Sequence, residues 1–560
     1  MIGVATDAID ADVVREFFEL FKTPWEWAQP GTTYDVVVST GGDVGRLDAN
    51  VFIVYSSEGL DPESKDIHGE VVDGPIDVTW GATTLPIYGR VARYGVVPES
   101  GVLRCGGLPV DYRRRSRSRA VWRIGYDLFR EVRHLLTEGQ PASRAGTPAL
   151  ELHIDFLRQA LLASGVTVVE IAARPHDYEF TCCLTHDIDF AGIRRQGFDR
   201  TLAGFVARAS VGTLIDLMRG RRSIADAMRN WSAVASLPLV LAGLKADFWK
   251  PFADYQSADR GYPSTFFLVP FKNRPGASPR GPVDPTRAVR YRLSDVAGDA
   301  LKASARGAEL AVHGIDAWRD AAAGRAERNE LAAITEKGRT GVRMHWLYFD
   351  TDSPKQLEAA GFEYDSTCGF NDAVGYRAGT SQPFRPAGTE RLMELPLSIM
   401  DSAMFSRGRL GLSDAHAAAR CQDIVANARR FGGTLVINWH CRSLAPDRLW
   451  GRFYQQLLDE VNRDSRVWFT TAIEAVDWFR WRRSVTFAAG TRAGRAVVRV
   501  AAPSAAHPAG LIRVHRPQRG GAAIVEQYRF DATRTADIDI ERGRFRDEPG
   551  HQPLAVHQMR

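Results

Sequence analysis

Little in this chain marks a specialised physical class. Six cysteines are spread over 560 residues, two of them adjacent at Cys182-Cys183, and no Cys-x-x-Cys pair occurs. That is too sparse for a disulfide scaffold and argues against a thiolate zinc site, so free thiols in a reducing compartment are expected. An excess of one charge is also missing. The 72 Lys and Arg side chains against 67 Asp and Glu leave a net charge of only +5, too balanced for a surface given over to nucleic acid. The longest uncharged apolar stretch in the middle of the chain, Trp231 to Leu244, falls short of the about 20 residues that cross a bilayer. The opening MIGVATDAIDADVVREFF has Asp residues where a secretory leader has a basic and then an apolar segment. The expected location is therefore cytoplasmic. There is no internal repeat and no low-complexity tract. What is present, 44% apolar and 25% charged residues, is ordinary for a globular protein, with length for about three or four domains or one large barrel with additions.

The pattern along the chain divides it in three. Residues 1–145 alternate short strands and helices: Asp35 to Val38 and Val51 to Tyr55 read as buried strands, and Ala120 to Glu138 reads as a helix ending at Gly139. Gly41-Gly42-Asp43-Val44-Gly45 follows the first of these strands, but its spacing fits neither dinucleotide nor phosphate-loop patterns, so a turn is expected. After a linker at Gln140 to Ser143, an amphipathic helix from Leu150 to Ala163 leads into a region, about 177–483, where short apolar runs alternate with helical stretches. Those runs, Phe180 to Leu184, Thr265 to Val269, Glu309 to Val312, Leu435 to Ile437 and Val467 to Phe469, predict a parallel α/β fold. An insertion at about 191–262 carries Arg194, Arg195, Arg200, Arg208, Arg219, Arg221, Arg222 and Arg229 against Asp199, Asp216 and Asp226, followed directly by the apolar 231–244 stretch. Such a neighbourhood can seat a helix at an anionic membrane surface, or simply solvate one face and pack the other. Past 484, alternation at Ala496 to Val500, Leu511 to Val514 and Ile538 to Ile540 predicts a small all-β module.

Four apolar runs of the middle region end in residues of catalytic type: Thr185-His186-Asp187-Ile188-Asp189, His313-Gly314, Arg343-Met344-His345-Trp346 and Asn438-Trp439-His440. In a parallel barrel the carboxyl ends of the strands converge on one mouth, where the site is assembled. In Asp187-x-Asp189 the two carboxylates can point to one side of a fraying strand, one binding a cation and the other accepting a proton from water. The same pair can also simply close a turn. His313 and His440 each admit a core role as well as a ligand or acid role. Arg343, inside an apolar strand, needs a partner, and Asp187 is the natural one.

Taken in order, these residues resemble the polysaccharide deacetylase superfamily, the NodB-homology or carbohydrate esterase family four group, over about 177–483. The resemblance implies a distorted (β/α)7 barrel, flanked here by an N-terminal α/β domain (1–145) and a small C-terminal β-sandwich-like domain (484–560). It also implies removal of N-acetyl groups from an amino sugar with a bound divalent metal. By resemblance, Asp187 is the base, Asp189 a ligand, His313 the start of the metal-histidine motif and Arg343 the holder of the base. Tyr364-Asp365-Ser366-Thr367 and Glu394-Leu395-Pro396-Leu397 stand for the next strand ends, and His440 for the general acid. The family's His-x-x-x-His motif is broken, because the position four after His313 is Ala317. His345, where the family has Pro, is the expected third ligand ahead of Asp316.

The expected site is thus catalytic Asp187, His440, Arg343, Trp346 (through its backbone N–H) and Asp401, with Asp365 as the other possible orienting group for His440. Asp189, His313 and His345 are expected to bind the metal, most plausibly zinc. A carbohydrate substrate, no nucleic acid and a peripheral membrane contact complete the expectation. The competing readings are another linear or cyclic amide hydrolase on the same barrel, and a non-catalytic glycan-binding or assembly protein with a degenerate site.

Overall fold

The structure is a computed structural model describing residues 2–540, apart from 41–43, 59, 62–63, 96, 98, 116–118, 197–199, 221, 446, 449, 506, 519–521 and 532–534. Gly41-Gly42-Asp43 of the glycine stretch, and Asp199 and Arg221 of the insertion, lie outside the described residues. The chain forms two compact units, Met1–Glu179 with Ala378–Ala387 and Asp477–Arg560, and Phe180–Arg377 with Gly388–Val476. This division differs from the three consecutive domains expected.

In the first unit, a seven-stranded sheet includes Ile2–Thr6, Thr33–Thr40, Asp48–Tyr55 and Ala120–Ile124. Ala120 to Ile124 was expected to be helical. It is a strand, paired in parallel with Val51 to Tyr55, because Val121, Trp122 and Ile124 suit a pleated surface and Gly125 breaks the run before the helix Leu128–Thr137. The predicted C-terminal strands form, but not as a separate module. Gly510–Arg516 pairs antiparallel with Val168–Ile171, more than three hundred residues earlier in sequence. The helix Ala149–Ala163 also belongs to this unit: Glu151 on it accepts hydrogen bonds from Thr380 and Gln382.

The second unit is built on one nine-stranded sheet. Its strands are β1 (Phe180–Ile188), β2 (Ser264–Leu268), β3 (Glu309–Gly314), β4 (Val342–Met344), β5 (Tyr364–Asp365), β6 (Met393–Glu394), β7 (Ile399–Met400), β8 (Thr434–Asn438) and β9 (Val467–Phe469). Their order is β6-β5-β4-β3-β2-β1-β8-β7, with β9 also on β1, and each pairing is parallel. The sheet curls into a half-barrel, with nine strands instead of the seven expected. All nine residues of β1 are buried, which is why this strand reads as an apolar run and not as an alternation. Helices Leu293–Ala305, Ala321–Thr335, Asp414–Phe431 and Gly451–Val461 contribute apolar faces to the same core.

Two local features aim the polar ends of these strands. Parallel register brings His313 opposite Arg343 and Thr185 opposite Asn438, so four strands deliver side chains to one end of the sheet. A Cβ at Gly314 would lie 2.6 Å from Met344 Sδ, so a larger residue after His313 would displace the buried Met344 side chain of β4. The insertion is helical: Arg200–Ala207, a short π-helical stretch, Thr213–Met218, Ile224–Leu241 and Pro251–Ala258.

Candidate metal centre and catalytic site

Asp189, His313 and His345 come together, with one ligand atom from each within 4.8 Å of the others. The rings are oriented by what they touch on the outside. His313 Nδ1 lies 2.8 Å from the Arg343 carbonyl oxygen, and His345 Nε2 lies 3.0 Å from the Arg287 carbonyl oxygen. A carbonyl can only accept, so each of these nitrogens carries a proton and the other nitrogen of each ring is the one placed to offer a lone pair. Those two atoms, His313 Nε2 and His345 Nδ1, face each other at 2.9 Å, and Asp189 Oδ1 is 3.4 Å from both. Asp189 Oδ1 is buried and has no hydrogen-bond partner. Burial pulls the His345 pKa down to about 3, against the pull of Asp189, so His345 brings a lone pair to this contact at neutral pH. Burial alone would raise the Asp189 pKa, but His345, His313 and His440 outweigh it and hold the carboxyl ionised.

Three converging acceptors with no donor among them repel unless a cation lies between them. Bond lengths of about 2.0–2.2 Å to nitrogen and oxygen put tetrahedral donors roughly 3.3–3.5 Å apart. The observed spacings of 2.9, 3.4 and 3.4 Å are close to that, and the donor set fits a divalent metal. Asp316, the alternative ligand, is not in this group. Its Oδ1 accepts from the Ala277 backbone N–H and from Arg319.

Asp187 lies near the end of β1, two residues before Asp189, which follows the strand, and both line the same cavity. Arg343, fully buried, donates to Asp187 Oδ1 at 2.9 Å and also to Thr185 Oγ1, the Ser366 carbonyl and Ser366 Oγ. Asn438 Nδ2 donates to Asp187 Oδ2 at 2.8 Å. Burial acts to raise the Asp187 pKa, but Arg343, His313 and His440 more than offset it and the carboxyl titrates below its ordinary range. Oδ2 also lies 3.8 Å from His313 Nε2 and 3.9 Å from His440 Nε2, between the metal group and the acid.

His440 is set differently. Its Nδ1 is 2.5 Å from Asp401 Oδ1, and its backbone N–H donates to Asp401 Oδ2 at 2.8 Å. Asp401 is fully buried and also accepts from Ser443 Oγ. Burial alone would lower the His440 pKa, but Asp401, aided by Asp189 and Asp187, raises it to about 9. Asp365, the other candidate orienting group, lies elsewhere: it bonds Thr367 and shares a buried carboxyl pair with Glu394. Within that pair burial drives both pKa values up, Asp365 to about 6.

Asp187, Asp189, His313, His345 and His440 line one cavity of 180 Å³, together with Trp346, Asn371, Ser402, Arg409, Arg442, Arg448 and Trp450. Trp346 and Leu347 both have positive φ, 65° and 54°, a conformation costly for such side chains. It turns the chain after His345 so that the half-buried Trp346 lines the cavity. Sequence reasoning did not assign roles to Thr185, Ser366, Asn438 or Ser443. Asn438 had a usable signal, since it stands two residues before His440, as Asp187 does before Asp189. His186 and Trp439, on the opposite faces of those strands, serve the core: His186 bonds Asp259 and stacks on Tyr255, and Trp439 stacks on Phe453.

No protein-family model and no curated protein matches the chain. Among solved structures it is similar to a putative polysaccharide deacetylase from Mycobacterium smegmatis (18% identity, TM-score 0.34, 55% of this chain and 93% of that one). It is also similar to a probable polysaccharide deacetylase from Pseudomonas aeruginosa (15%, 0.35, 55% and 95%) and to the allantoinase Puue (15%, 0.32, 55% and 92%). Identities and scores this low carry no chemistry across, so the chemistry rests on the side chains of the cavity.

Proposed function

We propose that this protein is a hydrolase of carbon–nitrogen bonds that removes an N-acetyl group from an amino sugar. The observation that supports it is one cavity in which a donor set fitted to a divalent cation adjoins an ionised carboxylate and a protonated histidine. Zinc, held by Asp189, His313 and His345, would polarise the amide carbonyl and acidify the attacking water. Asp187 Oδ2 takes the proton of that water; Arg343 helps keep the carboxylate ionised, and Arg343 and Asn438 fix its position. The Trp346 backbone N–H is a second donor for charge developing on the carbonyl oxygen. His440, whose Nδ1–H is committed to Asp401, gives its Nε2 proton to the departing amine. The C–N bond breaks, and acetate and a free amino sugar leave.

The test is acetate release from N-acetylglucosamine derivatives by the zinc-loaded protein and by Asp187→Asn. The expected loss in the variant is about a hundredfold to ten-thousandfold with its metal retained. Wild-type turnover in Asp187→Asn would exclude the mechanism. Release of a ring-opened product from a cyclic amide, without acetate from any amino sugar, would favour the other amide-hydrolase reading.

A second feature concerns where the enzyme works. Of thirteen large apolar side chains exposed among the described residues, nine lie between Val211 and Leu244. They accompany exposed Arg219 and Arg229. The stretch Thr201–Met218 has the length and hydropathy of a membrane-crossing helix and is only 22% buried. Apolar side chains beside basic ones fit the interface of an anionic bilayer. We place the protein peripherally on such a membrane, on the cytoplasmic side. Co-sedimentation with phosphatidylglycerol vesicles should be strong in wild type and lost in Leu214→Ser/Met218→Ser; equal binding of both would remove this part of the reading.

A further inference from the structure

Three arginines lining the catalytic cavity have no role in the mechanism above. Arg442 lies with its guanidinium 3.6 Å from the Phe190 ring centroid and 5.9 Å from that of Trp249, and Arg448 stacks 4.6 Å from Trp450. Arg409 lies on the same cavity, its Nη1 donating to Ser402 Oγ. Among the described residues no carboxylate forms an ion pair with any of the three, and Arg448 Nε is buried without a hydrogen-bond partner. Arginines nearby in the fold are treated differently: Arg208 pairs with Asp447 and Arg222 with Asp216.

A guanidinium removed from water without a counter-charge is costly. Burial and then the neighbouring positive charge of Arg448 pull the Arg442 pKa down to about 10, the strain of like charges held side by side. The cavity's own acids are engaged elsewhere. Asp187 is bonded to Arg343 and Asn438, Asp401 lies behind His440, and Asp189 belongs to the metal group. The arrangement is therefore cationic on this side even before a metal is counted. Aromatic contacts hold the Arg442 and Arg448 guanidinium groups at the cavity, and a guanidinium offers a fork of N–H donors that suits an oxyanion.

Resting on the deacetylase reading, we propose that Arg409, Arg442 and Arg448 form a phosphate subsite, so that the substrate is an amino sugar carrying a phosphate ester near its N-acetyl group. Three guanidinium groups in the lining of one cavity supply charge and donors that match a tetrahedral, doubly charged group better than a planar, singly charged carboxylate. Arg442 also lines an adjoining cleft of 370 Å³ with Asp189, His345, Trp346, Thr201 and Arg290. That cleft leaves room for whatever the phosphate carries on its far side, a nucleoside or a lipid.

The subsite is tested apart from turnover by titrating inorganic phosphate calorimetrically into the chelator-treated full-length protein at low salt. Saturable binding is expected in wild type, weakened at least tenfold in Arg442→Gln and Arg448→Gln and unchanged in Arg420→Gln on an exposed helix face. Arg409→Gln, at an exposed position, repeats the test without disturbing packing. No phosphate binding by wild type, or binding indifferent to all three cavity variants, overturns the proposal whatever the enzyme hydrolyses. Acetate release is then compared for N-acetylglucosamine, its 1-phosphate, its polyprenyl-diphosphate-linked form in neutral vesicles, and an N-acetylated uronic acid. At least a hundredfold preference in kcat/KM for a phosphorylated form, collapsing through KM in the arginine variants, supports the subsite, and the better of the two identifies the source of the phosphate. A preference for the uncharged sugar or for the uronic acid overturns it.

Discussion

His345 and His440 line the same cavity and differ by one partner. The ring nitrogen of His345 that faces away from the metal group meets a backbone carbonyl, and the ring stays neutral, with its pKa near 3 from burial. The corresponding nitrogen of His440 meets the buried carboxylate of Asp401, and the ring stays charged, with its pKa near 9. A carbonyl dipole fixes the tautomer without stabilising the imidazolium, whereas a carboxylate does both. One residue type is thus left neutral, as a ligand must be, on one side and charged, as an acid must be, on the other, as environment sets protonation elsewhere in acid–base catalysis.

The widest break in this comparison is on the ligand side. His345→Ala should lose stoichiometric metal, and acetate release should fall by about a thousandfold or more, since a cation left with two protein donors binds weakly and its contribution of several kcal/mol goes with it. Elemental analysis of the purified variant beside wild type checks the first part. Full metal content in His345→Ala would mean that His345 is only a packed ring.

On the acid side the effect is smaller and depends on pH. His440 is charged in the fold below about pH 9, so its acid function is present through neutrality and lost as pH rises through that value. The stability contributed by its pairing with Asp401 is complete below the ordinary histidine value of about 6.5 and disappears over the same rise. Asp401→Asn keeps the hydrogen bond but removes the charge. The alkaline limb of kcat should move down by about two units, with turnover at pH 8 reduced about ten- to a hundredfold and metal unchanged. An unshifted limb would assign it to some other group. The smallest effect is expected from Asn438→Ala, which leaves Asp187 with Arg343 but one donor short. A loss of about tenfold in kcat, with metal content and the His440 limb both intact, would place Asn438 as a positioning residue for the base.

Much of this site was legible because parallel sheets write their chemistry at strand ends. The buried run of β1 gives way to Asp187 and Asp189 at alternate positions, and β3, β4 and β8 end within two residues of His313, His345 and His440. The sequence ranked His345 ahead of Asp316, and the structure brings His345 into the group; the ranking could not be fixed from sequence, because it depends on which neighbouring strand end lies over His313. Nor could the choice between Asp401 and Asp365, which are separated from His440 by 39 and 75 residues, be fixed that way. The helix read through Ala120 to Ile124 failed for a related reason: its helical propensity is decided by pairing with Val51 to Tyr55.

By itself, the sequence determined the parallel character of the second unit, the strand ends that carry polar groups and the need of Arg343 for a carboxylate, since these follow from periodicity and from the cost of burying charge. The tertiary structure decided which groups share a cavity, which nitrogen of each histidine faces the metal group, and that among the described residues no carboxylate forms an ion pair with Arg409, Arg442 or Arg448. Ligation, proton transfer and ion pairing act over about 2–4 Å, and only folding sets separations that small between residues a hundred or more positions apart.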